Sequence, residues 1–404
     1  MKLLLLTIDF PLPVNAGGVV RLLGISEALA RKGHDITMLA RLRESDTDPA
    51  LVPALSQRLG GAQVEVFGAP QRPAPGGAAR VAGRWAWSIG TRTPPWVWTA
   101  YSREMAARAK ELAGDFDACL ILDDNAHQYA VDLKGKVPVV LDMQNVMAAS
   151  WNNTNHWGGA EPTAAQKAQQ ALAYRLLVQW EHRVSHAADA VIVTSADESV
   201  RFKEHHGMDC DWVGSAIGTP ELVASPRQAK PNVVWLGDHR YHANVHGLLR
   251  FLREGWRPLG ERGMTLQIVG REPGEEVLAL ANELPGVDIL GFVEDLDGLL
   301  ASAAAAVVPV WKGAGIKMKT LVLMGAGLPV ASTSVGMEGI AAQDGVDARL
   351  ADDPVELATA VGDLITDREA GAALGLRGRE RILAEHTWDG VIDQVEAVLQ
   401  RVAR

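Results

Sequence analysis

Cysteine is almost absent from this 404-residue chain, which has only Cys119 and Cys210. Two thiols exclude a disulfide framework and a cysteine-built zinc site, and they fit a reducing compartment. Positive charge is also short: 39 Lys and Arg stand against 49 Asp and Glu, a formal net charge of −10. That balance argues against nucleic acid as the partner and against an acidic membrane as the main one. Long apolar runs are missing as well. The first, Leu3–Ile8, stops at Asp9, and Leu299–Val310 is Ala-rich and ends at Trp311 and Lys312. Both are too short to span a bilayer, and the first is too short for the core of a signal peptide. A cytosolic protein is expected.

What is present is a globular composition, 48% hydrophobic and 22% charged. At this length it needs more than one core. Lys2–Ile8 reads as a strand buried on both faces. A loop with Pro11, Pro13, Gly17 and Gly18 follows, then a helical period over Val19–Lys32, a stop at Gly33 and a second strand over His34–Ala40. This β–loop–α–β order predicts a parallel sheet with a right-handed crossover. The alternation continues with strands over Gln63–Phe67, Ala118–Leu122, Val137–Leu141 and Ala190–Thr194, and helices over Ser102–Ala113 and Gln166–Ala188. It breaks at the Pro-rich stretch 220–231 and restarts with strands at 232–236, 265–269, 287–290, 305–309 and 329–331. The expected organisation is a Rossmann-like domain over 1–219, a linker over 220–231 and a second Rossmann-like domain over 232–385. A C-terminal helix within 386–404 packs back on the first domain. The fold class is α/β.

Ligands of open parallel sheets sit at the carboxyl ends of the strands, so residues just past the strands are the candidates. Gly17 and Gly18 open a helix and suit either an anion cradle or a plain tight turn. The stretch Trp311–Lys319 follows a strand and opens a helix, with Gly313, Gly315, Lys317 and Lys319 in it. Cations at a helix N-terminus oppose the macrodipole, and an anionic ligand such as a diphosphate would relieve that. Gly270–Glu272 and Gly291–Val293 end two further strands. Taken singly, each is a turn.

Several segments together resemble the retaining, family-4 type of GT-B glycosyltransferase. They are Val234–Asp238 with Asn244, Leu266–Arg271, Gly291–Asp295, Gly313–Leu321 with Met324–Val330, and Ser334–Gly339. The looser match of the first half rests on Pro11, Gly17, Gly18, Gly33 and His34. The resemblance implies two Rossmann-like domains facing a central cleft, with the acceptor in the first and a nucleotide diphosphate sugar in the second. It implies a sugar transferred with retention to a small-molecule or natural-product acceptor, without a catalytic metal or other cofactor. Gly17, Gly18, Gly313, Ala314, Gly315, Ile316, Lys317, Lys319, Thr320 and Arg240 would surround the donor and its phosphates, and Arg271, Phe292 and Val293 would flank the base. Backbone dipoles and cations would neutralise the leaving diphosphate, where charge develops.

The chain departs from the family in two places. The paired glutamates usual around the phosphate loop are missing, because no Asp or Glu occurs from Gly298 to Met337. One alignment puts Val322 where a carboxylate would hold the ribose hydroxyls. A donor without a 2′-hydroxyl, a dTDP-sugar of the kind bacterial specialised metabolism uses, fits that loss. In the first half, the strand Val137–Leu141 leads to Gln144 and Asn145 rather than a histidine, and His127 could approach from a neighbouring strand end. Gln144 and His127 are the catalytic candidates; for His127 an exposed loop position is the plainer reading. Glu181 and Arg183 read as a surface or interdomain pair. Trp85, Trp87, Trp96, Trp98, Trp151 and Trp157 cluster in sequence. Trp96, Trp98 and Asn145 would line an acceptor cleft or touch a lipid-linked acceptor; a Trp-filled satellite core is the alternative. Two other functions remain open on the sequence: a degenerate homologue serving as an activating partner, and a nucleotide-sugar epimerase, whose acid–base groups would be sought among His127, His239, His242 and His246.

Overall fold

A computed structural model describes residues 1–12, 17–42, 48–68, 77–155, 163–218, 223–224, 230–313 and 315–403. The expected linker 220–231 falls largely outside them, as do Ala314 and Trp157. The chain forms two compact units. One comprises Met1–Trp151, Gly159–Val213 and Val391–Arg404; the other comprises Asn152–Gly158 and Gly214–Gly390.

The first unit is built on the strands β1 (Lys2–Thr7), β2 (Asp35–Arg41), β3 (Gln63–Phe67), β4 (Ala118–Ile121), β5 (Val139–Met143), β6 (Ala190–Val193) and β7 (Asp211–Trp212). All pair in parallel, in the order β3-β2-β1-β4-β5-β6-β7. Leu3, Leu4, Leu5 and Leu6 are all inaccessible, because helices cover both faces of the central strand. The order reverses between β1 and β4, and there the strand ends diverge and leave a crevice.

The second unit repeats the plan with β8 (Asn232–Leu236), β9 (Thr265–Val269), β10 (Val287–Gly291), β11 (Ala305–Val308), β12 (Val330–Ser332) and β13 (Arg349–Leu350). Their order is β10-β9-β8-β11-β12-β13, again parallel, with the reversal between β8 and β11. Two apolar clusters, one on each side of this sheet, hold it: Trp235, Phe251 and Trp256 belong to one, Val234, Leu321 and Met324 to the other. The helix Trp388–Val402 ends the chain. From it Glu396 meets the Lys32 ammonium and, at 3.1 Å, His34, while Arg401 pairs with Asp211.

Several elements run differently from the sequence reading. The strand expected at Val137–Leu141 is Val139–Met143. The helices Gly77–Thr91, Ala196–His206, Pro354–Thr366 and Arg368–Glu385 had not been singled out. In the last, glycines at 371, 375 and 378 hide the helical signal. They allow close contact: a Cβ on Gly375 would lie 2.4 Å from the Gly327 carbonyl oxygen. Among the described residues no helix is long and apolar enough to cross a membrane. No three His, Cys, Asp or Glu among them gather as a metal would need.

Candidate functional site

In the first unit the crevice at β1 and β4 collects polar side chains. Gly18 lies in the first turn of the helix Gly17–Arg31, and a Cβ there would fall 2.6 Å from Gln144 Oε1. Gln144 therefore sits directly on the glycine turn. Its Nε2 donates to the carbonyls of Leu122 at 3.2 Å and Gly18 at 3.3 Å, and its backbone N–H donates to Asp124 Oδ1 at 2.7 Å. Asn145 Nδ2 reaches Asp124 Oδ2 at 3.5 Å. Asp123 accepts the N–H groups of Asn125 at 2.9 Å and Asp9 at 3.2 Å. Burial, with Asp9 alongside, pushes the Asp123 carboxyl up to about 6. Burial also raises Asp124 well above the usual carboxylate range.

His127 is not the exposed loop histidine expected. It is fully buried at the start of the helix Gln128–Leu133, and its ring stacks on Trp180 at 6.5 Å. Nε2 lies 3.3 Å from the Asp142 carbonyl, and burial lowers the imidazole to about 4, so the ring is neutral at pH 7. Asp142 is buried beside it and takes Arg21 in a forked pair, with NH2 to Oδ1 at 2.6 Å and Nε to Oδ2 at 2.9 Å.

Glu181 is likewise no surface residue. It is completely buried, and its two oxygens accept the N–H groups of Met147 at 2.8 Å and Ala148 at 3.1 Å, while Glu198 accepts that of Val146 at 2.8 Å. Three carboxylates thus fix the turn that carries Gln144. Arg183 turns elsewhere, to the Thr91 carbonyl at 2.8 Å and Thr93 Oγ1 at 2.9 Å. Its Oε2 also lies 3.2 Å from buried His206. Nothing in a one-dimensional pattern marks Glu181, because these partners come from distant turns and helices of the chain.

The tryptophans pack on one another. Trp87 meets Trp98 edge-on at 5.1 Å, and Trp96 stacks on Trp151 at 6.2 Å. Trp87, Trp96 and Trp151 are half-buried against the core of the first unit. A small pocket of about 210 Å³ opens between Val81, Arg84, Trp98 and Thr99.

In the second unit the loops after β8, β9 and β11 meet. The approach of the first two requires glycine: a Cβ on Gly270 would lie 1.9 Å from the Gly237 carbonyl oxygen. Lys319, in the first turn of the helix Met318–Gly325, extends across Trp235, with Nζ 5.2 Å from the ring centroid and 2.7 Å from Asn244 Oδ1. Burial, and next the charge of Lys317, lower its ammonium to about 7. Lys317 caps the same helix but is already compensated, since its Nζ is 3.2 Å from Glu338 Oε2 and 2.5 Å from the Gly315 carbonyl. Glu338 was missed because it lies one residue beyond the carboxylate-free run, in the turn after β12. Gly313 faces Tyr241: a Cβ there would come 3.6 Å from its hydroxyl. Ile316 packs on Gly339.

The remaining donor candidates divide. Arg240 is exposed and forks onto Asp238 at 2.7 and 3.1 Å, so its charge is already matched. Thr320 is buried and donates to the Gly336 carbonyl at 2.9 Å, which commits its hydroxyl to the fold. Val322 packs half-buried on the apolar cluster. Arg271 lies over the Phe292 ring at 4.1 Å, forming an exposed planar ledge beside Val293. His239, tucked under this loop system, had been weighed only as an acid–base group.

Two parallel Rossmann-like units, the second with a cation at a glycine-rich helix start, are the architecture of a GT-B glycosyltransferase. Residues 16–210 match the glycosyl transferase 4-like domain and residues 230–367 match glycosyl transferases group 1, and the chain belongs to these glycosyltransferases. A sequence comparison with curated proteins finds no match. Solved structures are similar along the whole chain. HepE of Anabaena, in complex with UDP and glucose, is 15% identical with a TM-score of 0.70, over 99% of this chain and 100% of that one. Sucrose-phosphate synthase of Thermosynechococcus elongatus is 16% identical with a TM-score of 0.70, over 99% and 98%. TarM of S. aureus is 8% identical with a TM-score of 0.66, over 98% of each chain. At these identities the likeness shows the fold.

Proposed function

We propose that the chain transfers a sugar from a nucleoside diphosphate donor, held by the loops after β8, β9 and β11, to a hydroxyl of a small-molecule acceptor bound in the first unit. The transfer proceeds with retention and without a metal, and the donor is a dTDP-sugar. The bond from the anomeric carbon to the diphosphate breaks, the diphosphate leaves with the electron pair, and the acceptor oxygen takes its place and gives up its proton to the departing diphosphate.

The observation that carries this reading is Lys319. It is a half-buried ammonium at a helix start, where the dipole opposes it, and Asn244, a neutral amide, is its hydrogen-bond acceptor. A diphosphate supplies the missing negative charge. The bound UDP of HepE supports a nucleotide donor. Val322 supports a deoxyribose, because an apolar side chain offers no acceptor to a 2′-hydroxyl. The Arg271–Phe292 ledge is a stacking surface for a base.

Thermal-shift measurements with UDP, dTDP, GDP and ADP test it. A nucleotide at a hundred times its Kd adds about 2.7 kcal/mol to the folded state. Stabilisation by dTDP that is lost in Lys319→Met is expected. No stabilisation by any of the four overturns the reading, and tighter binding of UDP than of dTDP overturns the choice of donor.

A further inference from the structure

The loop after β8 buries a histidine that the fold does not use. His239 is 8% exposed, and among the described residues neither ring nitrogen has a hydrogen-bond partner. Its ring leans on Trp235 at 5.1 Å, the indole that also carries Lys319 on its face. The imidazole edge lies over the Gly237–Gly270 contact, where a Cβ on Gly270 would come 3.1 Å from His239 Cδ2. Burying two polar ring atoms without a partner costs free energy that a leucine there would not. The chain nevertheless places them at the carboxyl end of the strand beside the topological switch, where a ligand of this sheet binds.

We infer that His239 is a donor-contacting residue, giving a ring N–H to the diphosphate beside Lys319. This rests on the proposed nucleotide donor and names a contact that neither the glycine–lysine loop nor Arg240 supplies. The charged groups facing the ring are Asp238, which Arg240 already holds, and Lys319. Burial lowers the free imidazole, Asp238 acts against this and Lys319 with it. An arriving diphosphate reverses the balance for both groups, since negative charge favours their protonated forms. Donor binding near neutral pH therefore takes up protons.

Calorimetry with UDP and with dTDP, at one pH in two buffers of different ionisation enthalpy, reads both the affinity and the proton uptake. His239→Leu weakens the nucleotide by about ten-fold or more and reduces the uptake. His239→Gln, which keeps an N–H, loses less affinity but also reduces the uptake. Without nucleotide, His239→Leu melts no lower than the parent, because no hydrogen bond is lost; a purely structural imidazole would lower the midpoint. Should His239→Leu not fold, His239→Gln decides through the uptake. Nucleotide affinity and uptake unchanged in both variants, against a wild type that binds normally, overturns the assignment of His239 alone. A wild type that binds neither nucleotide overturns the donor reading beneath it.

Discussion

Lys317 Nζ and Glu338 Oε2 stand 3.2 Å apart, with side chains only 8% and 13% exposed. The pair closes the glycine turn after β11 against the turn after β12, and it leaves Lys319 as the cation of this loop turned toward Asn244 rather than a carboxylate. Breaking a buried pair from one side strands the other charge and costs roughly 3 kcal/mol, whereas replacing both partners with apolar residues costs much less. Lys317→Met and Glu338→Leu should each lower the urea midpoint, and the double variant should recover much of the loss. Additive losses would show that the pair carries no coupling.

Arg21 and Asp142 make the same test in the first unit. Both are essentially inaccessible and bridge the first helix to the end of β5. Arg21→Met leaves a buried, unpaired carboxylate and should destabilise the chain by roughly 3–5 kcal/mol. Adding Asp142→Leu should restore part of it. Denaturant unfolding of both variants beside the parent checks this.

Gly18→Ala aims at Gln144. A methyl at position 18 would sit 2.6 Å from Gln144 Oε1, the movable end of a side chain, so the carboxamide swings away and the fold is spared. The expected outcome is a melting point close to the parent's and a reduced transfer rate. Full activity would show that the position of Gln144 is unimportant to transfer.

The buried groups beneath the first crevice give a signed pH dependence. Asp123 titrates near 6 when folded, above its unfolded value, so the folded state binds the extra proton between about pH 4 and pH 6. Its contribution is complete at the acid end and is lost as pH rises through 6. His127 titrates near 4 when folded, below its unfolded value, so its contribution is complete at neutral pH and is lost as pH falls through the window between about 6.5 and 4. The two oppose each other. In Asp123→Asn, stability should rise more steeply from pH 4 to pH 6 than in the parent; in His127→Gln it should rise less, or fall. Melting midpoints across this range check both signs.

The sequence alone determined the alternation of strands and helices, the two parallel sheets and the position of the glycine–lysine loop after β11. Runs such as Leu3–Leu6 and Ala305–Val308 are apolar because both faces of a parallel strand are covered, and the glycines at 313 and 315 mark where backbone must turn tightly before a helix. It also marked both lysines as misplaced against a helix dipole. Tertiary structure alone decided which lysine meets a carboxylate, since Glu338 reaches Lys317 from the next strand's turn while Lys319 is met by Asn244, 75 residues earlier. It decided that His127 and Glu181 are interior and that Arg240 is already paired. Those outcomes depend on which distant side chain arrives within a few ångströms, and the spacing of residues along a chain carries no record of it.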